Sequence, residues 1–241
     1  MTKNPYNISS EFERLEKAIN EGRGKINSKI LQKAYENKLI SDSELSVLSL
    51  NLLKKIEADL NLDHLTGLYN RIYLDTELKN FIEEFQYLQT DRREQEIKSL
   101  LIISLDMNFL KLLNDTYGHK YGDQGLITLA RRLKGAMKKH DIVARYGGDE
   151  FVCLLLINKK EEGDNQDIHK RIFERIQEAV NKDLAIDFRD SLGKKVHFPF
   201  KVAMGYTILR KGEIVKSATE LIHQADQMMY INKKKLKTVD K

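Results

Sequence analysis

The sequence has few of the residues that mark several common protein classes. Its 241 residues include one cysteine, two prolines and no tryptophan. A single cysteine, Cys153, excludes an internal disulfide framework and a cysteine-rich zinc site. Because Cys153 lies in an apolar run, we interpret it as a small buried hydrophobic residue. With only Pro5 and Pro199, the middle of the chain contains little that would break a helix.

Long apolar runs are also missing. The longest, Leu100–Leu105 and Val152–Ile157, are far too short to cross a bilayer. Residues 1–10 are polar and lack the apolar segment of a secretory signal. We therefore expect no membrane span and a cytoplasmic location.

The charge is unevenly placed along the chain. There are 41 Lys and Arg residues against 36 Asp and Glu, a net charge of +5. Residues 232–241 contain five lysines and one aspartate, which account for four of the five positive charges. The excess of positive charge is therefore concentrated at the end of the chain. A nucleic-acid-binding protein would instead have a basic surface interleaved with aromatic residues, so we expect no nucleic-acid partner.

Residues 1–60 are predicted to be a helical region. Ser41–Glu44 fits a capping box, which marks a helix start. The leucines and isoleucine that follow are predicted to share one helix face. These residues are Leu48, Leu52, Leu53, Ile56 and Leu60. With no chemical motif in it, this region is interpreted as oligomerising or regulatory, followed by a second domain over residues 61–241.

Helical spacing of apolar residues recurs after Asp63. It predicts helices over residues 74–88, 126–137, 168–180 and 218–228, and short helical material that follows Asp106 and ends at Asp115.

Strand patterns alternate with these helices. Ser99–Leu105 is predicted to be a buried strand that ends at Asp106. Residues 142–146 and 151–157 are predicted to form a hairpin, whose paired glycines would supply the positive φ of a tight turn. Residues 196–208 alternate strictly and predict one long strand buried on one face. This order favours an α+β fold, a sheet with antiparallel strands and helices packed on it.

Three acidic residues are placed where they could hold a cation. Asp106 ends a predicted strand, while Asp149 and Glu150 follow Gly147 and Gly148 in the predicted hairpin. If the hairpin pairs beside the Asp106 strand, three carboxylates converge and require a neutralising cation. Such oxygen ligands favour Mg²⁺ and indicate metal-assisted phosphoryl or nucleotidyl transfer. A plain solvent-exposed turn would use the same residues, so both interpretations stand at this point.

Longer motifs recur in a fixed order along most of the chain. Asp63–Arg71 reads D-H-L-T-G-L-Y-N-R, Asp106–Asp123 contains spaced Asp, Asn, Gly and His residues, and Arg145–Phe151 reads R-Y-G-G-D-E-F. Together they resemble the GGDEF family of bacterial diguanylate cyclases, which condense two GTP molecules into cyclic di-GMP and release pyrophosphate. Several spaced motifs in order are a specific signal. The resemblance implies a fold like that of nucleotide cyclases and polymerase palm domains, with a central, mainly antiparallel sheet flanked by helices.

The resemblance also implies a catalytic metal centre. Asp106 and Asp149 would bind Mg²⁺ or Mn²⁺ through their side chains, and Met107 through its carbonyl. Glu150 would lie beside or on a second metal ion. Asp149 would also be the candidate for accepting the proton of the 3′-hydroxyl.

Phosphate-binding residues are implied at two places. Phe109, Leu110 and Lys111 would offer backbone N–H groups at a helix start, where the helix dipole favours anions. Lys233 and Lys237 would contact the terminal phosphates from the last helix.

Guanine recognition is implied by two further residues. Asn114 and Asp123 would contact the guanine edge, and Gly147 and Gly148 would let the nucleotide approach closely. An aspartate accepts hydrogen bonds from guanine N1–H and N2–H₂ together, a pair that adenine lacks. GTP is therefore the expected substrate.

Other motif residues have a structural interpretation. Asp63, Thr66, Asn70 and Arg71 are expected to form a capping and salt-bridge network at the start of the domain. His119 is interpreted as a structural hydrogen-bonding residue.

The sequence departs from the family pattern at three sites. Asn108 replaces the second acid of D-x-D, and we expect activity to survive because the other acids carry the metal role. Lys237 stands where the family has an arginine, and this replacement suggests a weaker hold on the triphosphate. Lys138 and Asp141 stand where many members carry the R-x-x-D product-inhibition site. Because Lys138 lacks the guanidinium fork, we expect weak or absent feedback inhibition.

The two-GTP reaction implies a homodimer in which each subunit binds one GTP. Residues 1–60 are the expected means of bringing two catalytic domains together or of responding to an upstream regulator. The alternative function is a degenerate GGDEF domain that binds GTP or cyclic di-GMP without catalysis.

Overall fold

The computed structural model describes residues 8–21, 26–87, 97–158, 167–215 and 217–239. Contacts within the chain divide it into two compact units, Met1–Asn61 and Leu62–Lys241. Across the described residues, no helix is both long enough and apolar enough to cross a membrane.

Three helices build the first unit. They are α1 (Ile8–Glu21), α2 (Ser28–Glu36) and α3 (Asp42–Asn61). The capping box predicted at the start of α3 is confirmed: Glu44 N–H donates to Ser41 Oγ at 3.3 Å, and Ser41 N–H donates to Glu44 Oε2 at 2.8 Å. The helices share a small core made of Leu15, Ile19, Leu31, Ala34, Ile40 and Leu48.

The prediction that α3 has one apolar face is wrong. Leu48 is fully buried, whereas Leu53 and Leu60 are each 63% exposed. Leu53 follows Leu48 by five residues, which places it about 140° away around the helix. An exposed set, here named the α3 stripe, thus lies apart from the core of the first unit. It consists of Val47, Leu50, Leu53, Ile56 and Leu60.

The second unit is an α+β fold, as predicted. Its strands are β1 (Tyr69–Asn70), β2 (Ile97–Met107), β3 (Ile142–Arg145), β4 (Glu150–Asn158), β5 (Ala185–Arg189), β6 (Lys195–Pro199) and β7 (Val202–Arg210). Its helices are α4 (Arg71–Tyr87), α5 (Leu110–Tyr117), α6 (His119–Ala136), α7 (Ile168–Asn181) and α8 (Ala218–Val239). Leu88, predicted to extend α4, lies outside the described residues.

A five-stranded sheet in the order β1-β3-β4-β2-β7 forms the centre of this unit. The short β1 runs parallel to β3, and the other neighbours are antiparallel. Because side chains alternate between the faces of a strand, β2 is buried on both sides. Leu101, Ile103 and Leu105 pack toward α5, α6 and α7, while Leu100 and Ile102 pack toward α4 and α8.

The prediction of one strand over residues 196–208 is also wrong. The chain leaves a two-stranded β5–β6 ribbon after Pro199 and enters the main sheet as β7. Proline has no N–H to donate to a further strand pair, and Phe200 N–H instead donates to Leu184 O at 3.0 Å. The carbonyl of Lys201 accepts from Asn108 N–H at 2.9 Å. The short segment between β6 and β7 is therefore hydrogen-bonded to the residue that follows β2.

Candidate active site

Two acidic side chains meet at the end of the central strand. Asp106 is the penultimate residue of β2 and is directly opposite Glu150 of β4. Directly opposed residues of an antiparallel pair direct their side chains to the same face. Asp106 is only 9% exposed, so the pair combines one nearly buried carboxylate with one exposed carboxylate.

The hairpin tip is hydrogen-bonded to this strand end. Tyr146 N–H donates to Glu150 O at 2.8 Å, which closes the loop Gly147–Asp149. Met107 N–H donates to Asp149 O at 3.0 Å. These bonds hold Asp149 beside the strand that carries Asp106.

Both glycines of the tip differ from the prediction of positive φ. The glycines with positive φ are elsewhere in the chain, and neither Gly147 nor Gly148 is among them. The reason is that the loop has three residues closed by the bonds of Tyr146 and Glu150, so no two-residue turn is required. A Cβ added at Gly148 would meet nothing within 4 Å, which leaves open space for a ligand.

Arg145 joins the hairpin tip to the start of the unit. Its Nη2 and Nε donate to Gly148 O at 2.8 and 3.1 Å, and its Nη1 lies 3.3 Å from both carboxylate oxygens of Asp63. Asp63 Oδ1 also accepts from Thr66 N–H at 2.9 Å and from Thr66 Oγ1 at 2.7 Å. The side-chain oxygen of Asn70 caps α4 by accepting from Tyr73 N–H at 3.0 Å. The predicted network is thus confirmed for Asp63, Thr66 and Asn70, and Arg145 extends it to the glycine loop. Arg71, predicted to belong to the network, instead pairs with Asp75 at 3.4 Å.

A lysine from the last helix reaches the acidic pair. Lys233 Nζ lies 2.6 Å from Asp106 Oδ1. The side chain of Lys237 is outside the described residues. Burial and the charges of Asp226, Asp149 and Asp106 raise the pKa of Glu150, and the charge of Lys233 opposes this rise. Asp226 was not predicted as a site residue, although its position seven residues before Lys233 places both on one face of α8.

The oxygen ligands at the end of β2 fit a divalent cation whose other ligands include a phosphate. Among the described residues, no group of three His, Cys, Asp or Glu side chains is arranged to hold a metal ion. Mg²⁺, however, typically takes one or two carboxylates and completes its shell with water and phosphate oxygens. Asp106 and Glu150 can supply the two carboxylates, with Asp149 and the Met107 carbonyl beside them. Burial is the largest cause of the raised pKa of Glu150, and the repulsion from neighbouring carboxylates that adds to it is what a cation there would relieve.

The start of α5 has a strained entry. Phe109 takes φ 68°, ψ 10°, a left-handed conformation that is uncommon outside glycine, and its side chain is 48% exposed. The next residues, Leu110 and Lys111, open the helix, which begins three positions after Met107. Since the first N–H groups of a helix have no partner within it, the predicted phosphate contacts remain open to a ligand here.

The predicted guanine-binding residues come from adjoining helices. Asn114 lies on α5 and packs against Gly122 of α6, where a Cβ would collide with Asn114 Oδ1. That oxygen is buried and has no hydrogen-bond partner among the described residues. Asp123, the next residue of α6, is exposed. An unpaired acceptor and a carboxylate therefore lie at one helix junction.

Comparison with known proteins agrees with this geometry. A family model described as "Diguanylate cyclase, GGDEF domain" matches residues 60–238. The chain belongs to the GGDEF family.

Relatives of this GGDEF protein occur in different bacteria. The uncharacterized protein YtrP of Bacillus subtilis is 33% identical over 196 residues, which cover 81% of this chain and 28% of YtrP. Diguanylate cyclase A of Treponema denticola is 28% identical over 200 residues, 83% of this chain and 48% of that protein. The chain therefore spans less than half of either relative.

A solved structure shares the fold. The coiled coil and GGDEF domain of DgcB from Caulobacter crescentus, in complex with c-di-GMP, superposes with a TM-score of 0.63 at 24% identity. The match covers 83% of this chain and 95% of the DgcB chain. At this identity the likeness establishes the fold.

The two residues predicted to stand at a degenerate inhibition site, Lys138 and Asp141, are hydrogen-bonded to each other. Lys138 N–H donates to Asp141 Oδ2 at 2.7 Å. Burial raises the pKa of Asp141, while the bond to Lys138 and nearby positive charges act against the rise. Both residues line a cavity of about 410 Å³ that also contains Lys134 and Lys139.

Replacing Lys138 with arginine is expected to strengthen product inhibition. The guanidinium would provide the planar fork that lysine lacks, while the charge stays the same. We expect cyclic di-GMP to inhibit the parent weakly and Lys138→Arg at least about tenfold more strongly, in line with bidentate binding. Initial rates at increasing cyclic di-GMP would measure this. Tight, saturable product binding by the parent that is lost in Asp141→Ala would contradict the prediction.

The Asp63–Arg145 pair makes the stability of the fold depend on pH in the acidic range. Burial alone would raise the pKa of Asp63, but the bonds from Thr66 and the charge of Arg145 outweigh it and hold the pKa below its usual value. The unfolded chain therefore binds more protons in acid, so this stabilisation is complete at neutral pH and is lost as pH falls through the lowered pKa.

Asp63→Asn should lower the urea midpoint at pH 7, and the difference from the parent should shrink as pH falls below about 4. Urea titrations between pH 3 and 7 would test this. Asp59→Asn, which removes a half-exposed carboxylate of α3, should leave the pH profile unchanged. A constant difference at every pH would contradict the assigned cause.

Proposed function

We propose that this protein is a diguanylate cyclase that makes cyclic di-GMP from two GTP molecules with Mg²⁺ or Mn²⁺. The observation that supports this most is the direct pairing of Asp106 with Glu150, to which Asp149 is fixed through the Met107 N–H bond. This arrangement places the acids of two separate motifs at one strand end. The open space at Gly148 would give a nucleotide room, and the Asn114 oxygen, which has no partner among the described residues, would contribute to its recognition.

The reaction joins the two nucleotides in two equivalent steps. The 3′-oxygen of one GTP attacks the α-phosphorus of the other, the bond to pyrophosphate breaks, and the hydroxyl proton leaves. A bound divalent metal would offset charge on the triphosphate and favour the alkoxide form of the attacking hydroxyl.

The chain's own residues would position the substrate and accept the proton. Asp149 is the proposed acceptor, held in place by Met107 and, through Gly148, by Arg145. Asp106 and Glu150 would hold the metal. The N–H groups at the start of α5 would bind phosphate oxygens, and Asn114 with Asp123 would select guanine.

Incubation with GTP and Mg²⁺, followed by chromatography, tests this function. We expect two pyrophosphates for each cyclic di-GMP, no cyclic product with ATP, and loss of product in Asp149→Ala. If the folded protein bound GTP but formed no cyclic di-GMP with either Mg²⁺ or Mn²⁺, the non-catalytic binding function would be favoured instead.

We also propose that the working form is a homodimer assembled through the first unit. Two GTP molecules must face each other, and each catalytic unit offers one half-site. The α3 stripe presents five large apolar side chains between 44% and 63% exposed. Large apolar side chains left exposed on one helix are typical of an interaction site, and α3 ends at Asn61, immediately before the second unit.

Replacing Leu53 with glutamate should therefore weaken association and lower activity together. A charge at the centre of an apolar interface costs several kcal/mol of binding free energy, on the order of 2–3. Light scattering coupled to size exclusion would give the mass, and activity would be followed across protein concentrations. The matched control is Lys54→Glu, a change at the neighbouring exposed position. An active protein that stays monomeric at high concentration with GTP would refute the dimer.

A further inference from the structure

We propose that Lys233 is the internal counterion of the metal site. In the absence of nucleotide, its ammonium group holds Asp106 and excludes free divalent cations. The triphosphate then draws Lys233 away, so that metal and nucleotide enter together. This inference rests on the proposed function, because it concerns the site that would bind metal and GTP.

The ion pair occupies the position that a metal would need. Lys233 Nζ is 2.6 Å from Asp106 Oδ1, and the side chains are 25% and 12% exposed. A charge-assisted bond of this length between largely buried partners is strong. A cation that binds Asp106 must therefore first displace the ammonium group.

The surrounding charges favour this lysine position. Burial and then the charges of Asp226, Asp149 and Asp106 raise the pKa of Glu150, and the charge of Lys233 acts in the opposite direction. Lys233 thus offsets part of the negative charge that would otherwise attract a free metal ion. Its removal would leave the charges of three carboxylates acting on Glu150 without this opposing positive charge.

The backbone of α8 is fixed above the sheet, so only the Lys233 side chain would have to move. Asn232 Nδ2 donates to Met204 O at 2.9 Å, beside Lys233. Gly205 of β7 contacts the α8 backbone so closely that a Cβ there would lie 2.6 Å from Ala225 O. The exchange therefore requires only rotation of a flexible four-carbon stem from a carboxylate to a phosphate oxygen.

Mn²⁺ binding without nucleotide tests the proposal. Free Mn²⁺ would be measured by electron paramagnetic resonance in titrations of the parent, Lys233→Met and Lys234→Met. We expect Lys233→Met to bind Mn²⁺ at least about fivefold more tightly, because a competing charge next to Asp106 is gone. Lys234 is exposed and lies over the Tyr230 ring at 4.4 Å, so Lys234→Met should match the parent.

Two further variants assign the effect to this site. Lys233→Gln, which removes the charge but retains a donor, should also bind Mn²⁺ more tightly than the parent. Lys233→Met combined with Asp106→Asn should lose the gain. With a non-hydrolysable GTP analogue present, the order should reverse, and Lys233→Met should bind Mn²⁺ less tightly than the parent.

The proposal is overturned if Lys233→Met binds Mn²⁺ no more tightly than the parent, or if Lys234→Met gains equally. Thermal melting would establish that each variant is folded. Since the first titration contains no GTP and measures no turnover, its result is independent of whether the protein makes cyclic di-GMP.

Discussion

Asp106→Asn is expected to lower the rate of cyclic di-GMP formation by at least about 100-fold, the size of effect that follows loss of a group acting in the transition state. The amide has nearly the same shape as the carboxylate, so the sheet should remain intact. It lacks the charge needed to bind a divalent cation and to pair with Lys233. Product formation at saturating GTP and Mg²⁺ would measure the loss.

Asp115→Asn is the matched control for this change. Asp115 is an exposed carboxylate of α5, and its replacement should leave the rate within about twofold of the parent, as for most surface substitutions. Circular dichroism would establish that both variants are folded. If Asp106→Asn retained more than a tenth of the parent rate, Asp106 would not hold the catalytic metal.

Much of the site could be predicted because its residues come from contiguous motifs on strongly patterned elements. The buried run of β2 places Asp106, and the β3–β4 hairpin places Asp149 and Glu150. Once the hairpin pairs with β2, the register brings Asp106 opposite Glu150. The helices that bear Asn114 and Asp123 likewise follow from apolar periodicity.

Elements without such a local pattern were missed. The alternation over residues 196–208 continues through the point where the chain changes sheets, so periodicity alone does not reveal the break. Pro199 was the available signal, because proline cannot donate to a further strand pair. The two faces of α3 were merged because its apolar residues also follow one another by one or two positions, as Val47, Leu48 and Leu50 do, and therefore occupy more than one side of the helix.

Contacts between distant parts of the chain are beyond sequence periodicity. Asp106 and Lys233 are separated by 127 residues, and nothing local to either indicates that they pair. Arg145 and Asp63 belong to separate motifs, and only the parallel pairing of β1 with β3 brings them together. Gly205, which has no role in a turn, is required by the close approach of α8 to β7.

Gly205→Ala is expected to lower the free energy of unfolding by about 3 kcal/mol, at the upper end of the usual cost of overpacking. The new Cβ would collide with Met229 N and lie 2.6 Å from Ala225 O, both backbone atoms of α8. Backbone cannot turn aside as a side chain can, so the whole helix must shift. Alanine is better than glycine within a regular element by only about 0.5–1 kcal/mol, which is too little to offset the collision.

Gly135→Ala adds the same methyl group as Gly205→Ala but is expected to stabilise the protein. A Cβ at Gly135, within α6, would meet nothing within 4 Å. Here only the gain in helix propensity remains, and stability should rise by up to about 1 kcal/mol. Urea titrations followed by circular dichroism would compare the two variants with the parent. Since the two substitutions add the same methyl group, equal effects would mean that α8 does not rest on Gly205. A large loss confined to Gly205→Ala would establish that α8, the helix that bears Lys233, packs directly on Gly205.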